Sequence, residues 1–294
     1  MKLESSVLKK ITPAVILLAV LTTSCTNVYF ENPVPQRGES MRAAPAELAG
    51  LYLLEPGAGE TLSEWEELLR PCFRIEATDK GNLLISTENR LHAKDVSRLR
   101  KALETQRKEG KLLDYEMTES AITCLVRKEE EGRIWQEEHS VTLIKSGSWY
   151  VVAQTAKPYW LFDFEAGRQL EYKSEQRDQA SNDWFPEAAR LQADTAQLVA
   201  LHKYPIWYFN TRKGDEKAWS LLCVERVGND ALRVKFSSLD NKAVFEERAA
   251  YYNAITPFRK EGDNRYVINP TDGALDLLVQ DAQLFETMLL RKIE

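Results

Sequence analysis

The sequence predicts a mainly β protein with peripheral helices, an α+β chain of antiparallel sheets or incomplete barrels, and three observations predict it. Short runs rich in β-branched and aromatic residues recur from residue 50 to 165 and again from 206 to 248. Polar, glycine-containing turns separate many of these runs at hairpin distance. A 3.6-residue apolar period is sustained in few places, most clearly from 94 to 109.

At the amino terminus, Lys2, Lys9 and Lys10 precede an apolar run from Ile11 to Leu21, which closes in Thr22, Thr23, Ser24 and Cys25. A positive start, an apolar segment of about 7–15 residues and small residues before a cut make a secretory signal, here residues 1–24. The run is about half the ~20 residues of a membrane-spanning helix and contains Pro13, so it is not expected to persist as a span. The segment resembles bacterial lipoprotein precursors, in which a Cys after small residues is acylated and the signal is removed. The resemblance covers this segment alone and departs from the usual lipobox at Thr22, where Leu is customary; Leu21 lies one step further away. It implies a lipoprotein acylated at Cys25, with palmitate or a similar chain, and attached to a membrane through that lipid. Several acyl chains at about 0.8 kcal/mol per buried CH₂ make such attachment effectively permanent. Thr26 and Asn27, in place of an Asp after the Cys, imply the outer rather than the inner membrane of the cell envelope.

Residues 25–47 contain Asn32, Pro33, Pro35, Gly38, Ser40 and Pro45 and read as an extended, solvated, lipid-anchored tether. Tyr29 and Phe30 are its exceptions, suited either to the lipid headgroups or to docking on the folded body. The β-rich body follows as residues 48–170, a polar linker at 171–203 and a second β-rich domain at 204–294.

In the first domain, strands are expected at Leu51–Leu54, Phe73–Ala77, Leu83–Thr87, Leu112–Met117, Ala121–Arg127, Ile134–His139, Val141–Lys145 and Trp149–Thr155. Asp79-Lys80-Gly81-Asn82, Glu130-Glu131-Gly132 and Lys145-Ser146-Gly147-Ser148 supply their hairpin turns. Between Lys94 and Glu109, Val96, Leu99, Ala102 and Leu103 share one helical face, with Asp95 at the amino end and Gly110 past the carboxyl end. The opposite, charged face, with Arg98, Lys101 and Lys108, reads as solvated surface. Pro186 opens a possible short helix in the linker, and Leu198–Leu201 begin the next strand. The second domain carries strands at Ile206–Asn210, Ala218–Val227, Ala231–Ser237 and Val244–Arg248, a helix from Thr271 to Gln280, and a closing strand from Leu284 to Ile293 after Asp281.

Composition bounds the function. With 44% apolar and 29% charged residues the chain is an ordinary globular one, and disorder throughout is excluded. The net charge is −6, and loss of the lysine-rich leader makes the remainder more acidic. With no basic cluster interleaved with aromatics, nucleic acid is not expected as a partner.

No cofactor is expected: no glycine-rich phosphate loop occurs, and Lys145-Ser146-Gly147-Ser148-Trp149 is a turn rather than a nucleophile elbow. No metal site is expected either, because His92, His139 and His202 stand apart from one another and from any Cys pair. Cys72, Cys124 and Cys223 lie in apolar, strand-like settings and read as small buried hydrophobes, with a Cys72–Cys124 bridge as the alternative. The most ligand-like cluster is Tyr159 to Glu165, in which Asp163 and Glu165 share one face of a strand beside Trp160, with Trp207 in a similar aromatic run. Aromatic faces stack on sugars and carboxylates bind hydroxyls; the same residues also build strands and cores.

No catalytic residues are assigned. The leading expectation is a non-catalytic, lipid-anchored envelope protein that binds or assembles with other envelope components. A small-molecule binder for lipid or sugar, using Trp160, Asp163, Glu165 and Trp207, is the first alternative. An envelope hydrolase using Asp163, Glu165 or His139 is the second.

Overall fold

A computed structural model describes residues 27–55, 68–130, 133–153, 158–173, 192–237, 242–262 and 265–293. In chain order the strands and helices are β1 (Asn27–Phe30), β2 (Glu39–Ser40), β3 (Gly50–Glu55), β4 (Arg70–Ala77), β5 (Leu83–His92), α1 (Val96–Lys108), β6 (Asp114–Met117), β7 (Ala121–Glu130) and β8 (Arg133–Ser146). They continue with β9 (Trp149–Ala153), β10 (Pro158–Asp163), β11 (Arg168–Lys173), β12 (Gln192–Lys203), β13 (Ile206–Lys213), β14 (Ser220–Val227), β15 (Ala231–Ser237), α2 (Lys242–Glu247) and α3 (Ala249–Ile255). The last elements are β16 (Arg259–Lys260), β17 (Arg265–Ile268), α4 (Asp272–Leu278) and β18 (Phe285–Lys292).

Ten strands form an antiparallel barrel in the order β10-β11-β12-β13-β14-β15-β18-β3-β4-β5, closed where Leu83–Ser86 of β5 pair with Phe162–Tyr159 of β10. Closure removes the open edges that a flat sheet of this size would expose. Two-residue alternation decides what faces inward. Tyr52, Phe73, Trp160, Phe162, Trp207, Phe209, Val224, Val234 and Leu290, from strands all round the ring, form one buried cluster that fills the interior. Leu48 joins that cluster from the segment between β2 and β3. Its backbone crosses one barrel mouth, where Met41 N–H donates to Ala200 and Ala44 N–H to Gly81. Gly81 has φ +76°, and a Cβ there would come within 3.3 Å of Ala43 Cβ, so the turn needs glycine.

Two structures lie on the barrel's outside. Past its pairing with β10, β5 continues into β9, and β9-β8-β7-β6 extend as a lateral sheet. Helix α1 lays Leu99, Ala102 and Leu103 against Leu91, Leu143 and Val152 of this sheet. On the far side of the ring, β1, β17, α2, α3 and α4 cover Tyr208, Leu221 and Cys223 with Phe30, Phe245, Tyr252, Tyr266 and Leu275.

The expected mainly β class with peripheral helices is present; the divisions along the chain differ. Strands from residues 48–170 and 204–294 form two adjoining arcs of one barrel, joined by the β18–β3 pairing and by β12, and the segment read as linker, 171–203, contributes the end of β11 and all of β12. The short helix expected from Pro186 lies outside the described residues. Ile134–His139 and Val141–Lys145 are one strand, β8. Val244–Arg248, expected as a strand, lies mainly in helix α2: Phe245 stacks on Tyr252 at 5.3 Å and meets Tyr266 at 4.7 Å, and this aromatic contact overrides the strand preference of a short apolar run.

The expected solvated tether also gives way. β1 begins at Asn27 and runs parallel to β17, Val28 and Phe30 are buried, and Phe30 exchanges backbone hydrogen bonds with Trp219. Phe30 therefore docks on the body, and Tyr29 lies half-buried beneath the Arg265 guanidinium at 4.2 Å. Prolines and polar residues permit an extended backbone, but Val28, Phe30 and Val34 remove apolar area from water on the outer face of β12–β14, which binds the strap down.

Candidate functional site

Trp160 and Trp207, read from the sequence as ligand-facing candidates, are 2% and 7% exposed and belong to the cluster that fills the barrel. Neighbouring Phe162 and Phe164 both meet Phe209 edge-on, at 5.5 and 6.3 Å. The inner surface of the sheet is thus occupied by its own aromatics, and those faces are not presented to a ligand.

Asp163 and Glu165 are not a carboxylate pair on one strand. β10 ends at Asp163, and Glu165 is an exposed residue of the turn to β11. Asp163 Oδ1 accepts the Ala166 N–H at 3.0 Å and Oδ2 pairs with Arg168 Nε at 3.1 Å, so this carboxylate ties the turn together. Cys25, expected to be acylated, and residues 1–24, expected to be a secretory signal, lie outside the described residues.

The histidines remain apart in space. His92 meets Trp149 edge-on, His202 stacks on Trp207, and His139 Nε2 lies 3.4 Å from Glu137. Among the described residues no group of three or more His, Cys, Asp or Glu side chains is arranged to hold a metal. Cys72, Cys124 and Cys223 are buried and free, with no bridge between Cys72 and Cys124. Burial pushes the Cys124 thiol up to about 11; burial and then the Glu88 carboxylate push Cys72 up to about 12. Neither is a ready nucleophile at neutral pH.

The polar feature that sequence reading passed over is the middle of β5, where Ser86, Thr87, Glu88, Asn89 and Arg90 are all buried. They lie where the barrel and lateral sheet diverge: on one edge of β5 the pairing passes from β10 at Ser86 to β9 at Asn89, while β4 runs along the whole of the other edge. The pairing on the β10/β9 edge is interrupted at Thr87 and Glu88, yet those residues are 5% and 2% exposed. Glu88 Oε1 accepts from Arg90 Nε at 2.5 Å and lies 3.5 Å from Arg74 Nη2. The strand expected at Leu83–Thr87 stops short of this pair; the signal beyond it is an acid and a base two residues apart, Glu88 and Arg90, followed by Leu91. It shows an ion pair without showing that the pair is buried.

Arg74 also lines an open groove of about 570 Å³ between Ala49–Leu51 and Ile75–Asp79. Its walls combine Arg74 with Glu76 and Asp79 and include no aromatic side chain.

The largest exposed apolar side chains include two neighbours, Ile134 and Trp135, 56% and 41% exposed. They lie where β8 leaves the turn, paired with Glu129 and Lys128 of β7. β6 accompanies β7 only over Ile122–Leu125, and β9 accompanies β8 only over Thr142–Ser146. Among the described residues the outer half of this hairpin is therefore a two-stranded ribbon beyond the rest of the sheet. Adjacent apolar residues on opposite faces of a strand, followed by Gln136, Glu137 and Glu138, were its signal in the sequence. No helix among the described residues is long and apolar enough to cross a membrane.

No family model, curated protein or solved structure matches the chain.

Proposed function

We propose that the chain is a lipid-anchored cell-envelope protein, outer-membrane in location and without a reaction centre of its own, that binds or assembles with other envelope proteins. The observation that carries this reading is the contrast between a barrel filled by its own aromatics and a ribbon that holds Ile134 and Trp135 in solvent. Large apolar side chains exposed on both faces of a projecting two-stranded ribbon suit a protein partner that packs around it, in which Trp is a favoured anchor. The leader and Cys25 support the lipid anchor. Native mass spectrometry of the detergent-extracted protein tests both parts. The expected result is an acylated Cys25 and a stoichiometric second protein that is lost from the Ile134→Ser/Trp135→Ser variant at unchanged thermal stability. A complex unaffected by that double substitution would remove the ribbon from the account.

A second reading, binding of a small ligand, rests on the groove beside Arg74, whose volume lies within the range of about 300–1,000 Å³ typical of ligand sites. It predicts a small adduct lost on unfolding and weakened by Glu76→Ala.

A further inference from the structure

Chain length limits how far the folded body can stand from an acylated Cys25. Asn27 is already in register with Arg265 of β17, so two peptide units, at most about 7 Å, join the lipid-bearing residue to the fixed sheet. The polar layer of one leaflet is itself about 5–7 Å thick. Had residues 26–47 been an extended tether, the reach would have been about 75 Å. The body is therefore held at the headgroups, by the face that surrounds the start of β1.

That face can be named. β16 and β17 form the small sheet with β1, and they carry Arg259, Lys260 and Arg265, with Glu31 and Glu261 as ion-pair partners of Arg259. Lys260 is exposed, and Arg259 is more than half exposed. Val28 C=O accepts from Ser237 Oγ at 2.7 Å, and Ser237 ends β15 at the barrel end opposite the β4–β5 turn that carries Lys80.

We infer that the β16–β17 edge beside Asn27 is a membrane-contact surface, where Arg259, Lys260 and Arg265 meet lipid phosphates while the Lys80 end of the barrel points away from the bilayer. This inference rests on the lipid-anchor reading. Docking of β1 supplies the geometry: a strand held by β17 on one side and by the Trp219 bridge at its end cannot pay out as slack.

The test uses the full acylated protein in vesicles of phosphatidylethanolamine and phosphatidylglycerol, labelled with a water-soluble lysine-acylating reagent and read by mass spectrometry. A variant with ~20 Gly/Ser residues inserted between Thr26 and Asn27, a flexible reach of about 25 Å, is the comparator. The linker is expected to raise the Lys260-to-Lys80 labelling ratio about fivefold or more as the body leaves the headgroup layer. A ratio that the linker leaves unchanged overturns the contact while leaving the anchor intact. The mass of the mature amino terminus, measured first, reads the anchor separately: an unacylated Cys25 overturns the anchor and this contact with it.

Discussion

The side-chain amide of Asn210 closes on the backbone of Val34 from both directions: Oδ1 accepts the Val34 N–H at 2.9 Å and Nδ2 donates to the Val34 C=O at 2.8 Å. Nδ2 also reaches Val199 C=O at 3.2 Å, which ties β12, β13 and the amino-terminal strap together at a fully buried residue.

Asn210→Ala should therefore cost about 3 kcal/mol, because buried backbone groups left without partners cost about 1–3 kcal/mol each. Amide hydrogen exchange should rise selectively over residues 28–41. A change in urea stability below about 0.5 kcal/mol, with unaltered exchange in the strap, would show that the strap does not depend on this amide.

Trp160 and Trp207 should behave as core. Alanine at either position is expected to cost about 3–5 kcal/mol through lost burial and the cavity left behind. Trp135→Ala should stay within about 0.5 kcal/mol, as for an exposed side chain with no structural duty. Thermal unfolding of the three variants ranks them, and a mild Trp160→Ala would reopen the barrel interior as a binding site.

Glu88 and Arg90 are 2% and 1% exposed, which makes their contact a buried ion pair. Removing the carboxylate as Glu88→Ala should cost about 3–5 kcal/mol, since the buried Arg90 guanidinium loses the carboxylate bonded to it. The double variant Glu88→Ala/Arg90→Ala should cost clearly less than the sum of the single ones. Additive costs in that cycle would show that the two side chains act independently.

The buried thiols set an alkaline limit. Their ordinary value is 9.0, and burial first holds Cys124 near 11 and Cys72 near 12, while Cys223 is raised by the same cause. Between about pH 9 and pH 12 the unfolded chain releases thiol protons that the folded chain retains, so stability is complete below about pH 9 and falls as pH rises. The urea midpoint should drop between about pH 8 and pH 10.5, and at pH 8 an aromatic disulfide reagent should titrate Cys72, Cys124 and Cys223 only after unfolding. A constant midpoint, or prompt labelling of the native protein, contradicts this.

Much of the strand inventory is legible locally. Ala231–Ser237 alternates Leu232, Val234 and Phe236 with Arg233 and Lys235, and its turn residues Gly228-Asn229-Asp230 adjoin it in the chain, so β14–β15 can be read without knowing the fold. The same holds for α1, whose Leu99, Ala102 and Leu103 are the buried positions. The ligand-like cluster at 159–165 misled because an aromatic suits a core and a sugar platform equally well. Only the filled barrel distinguishes them for Trp160, and only the end of β10 makes Asp163 a turn residue.

By itself the sequence determined the β-rich class, the hairpins and the buried face of α1, all of which depend on residues within a turn or two of one another. The tertiary structure decided what depends on distant partners: that β18 pairs with β3 and β5 with β10 to close one barrel instead of two domains, that polar residues 86–90 are buried, and that residues 27–34 dock. Periodicity records which face of a segment is apolar. Which other segment covers that face is settled by the burial of both together, a property that neither segment carries alone.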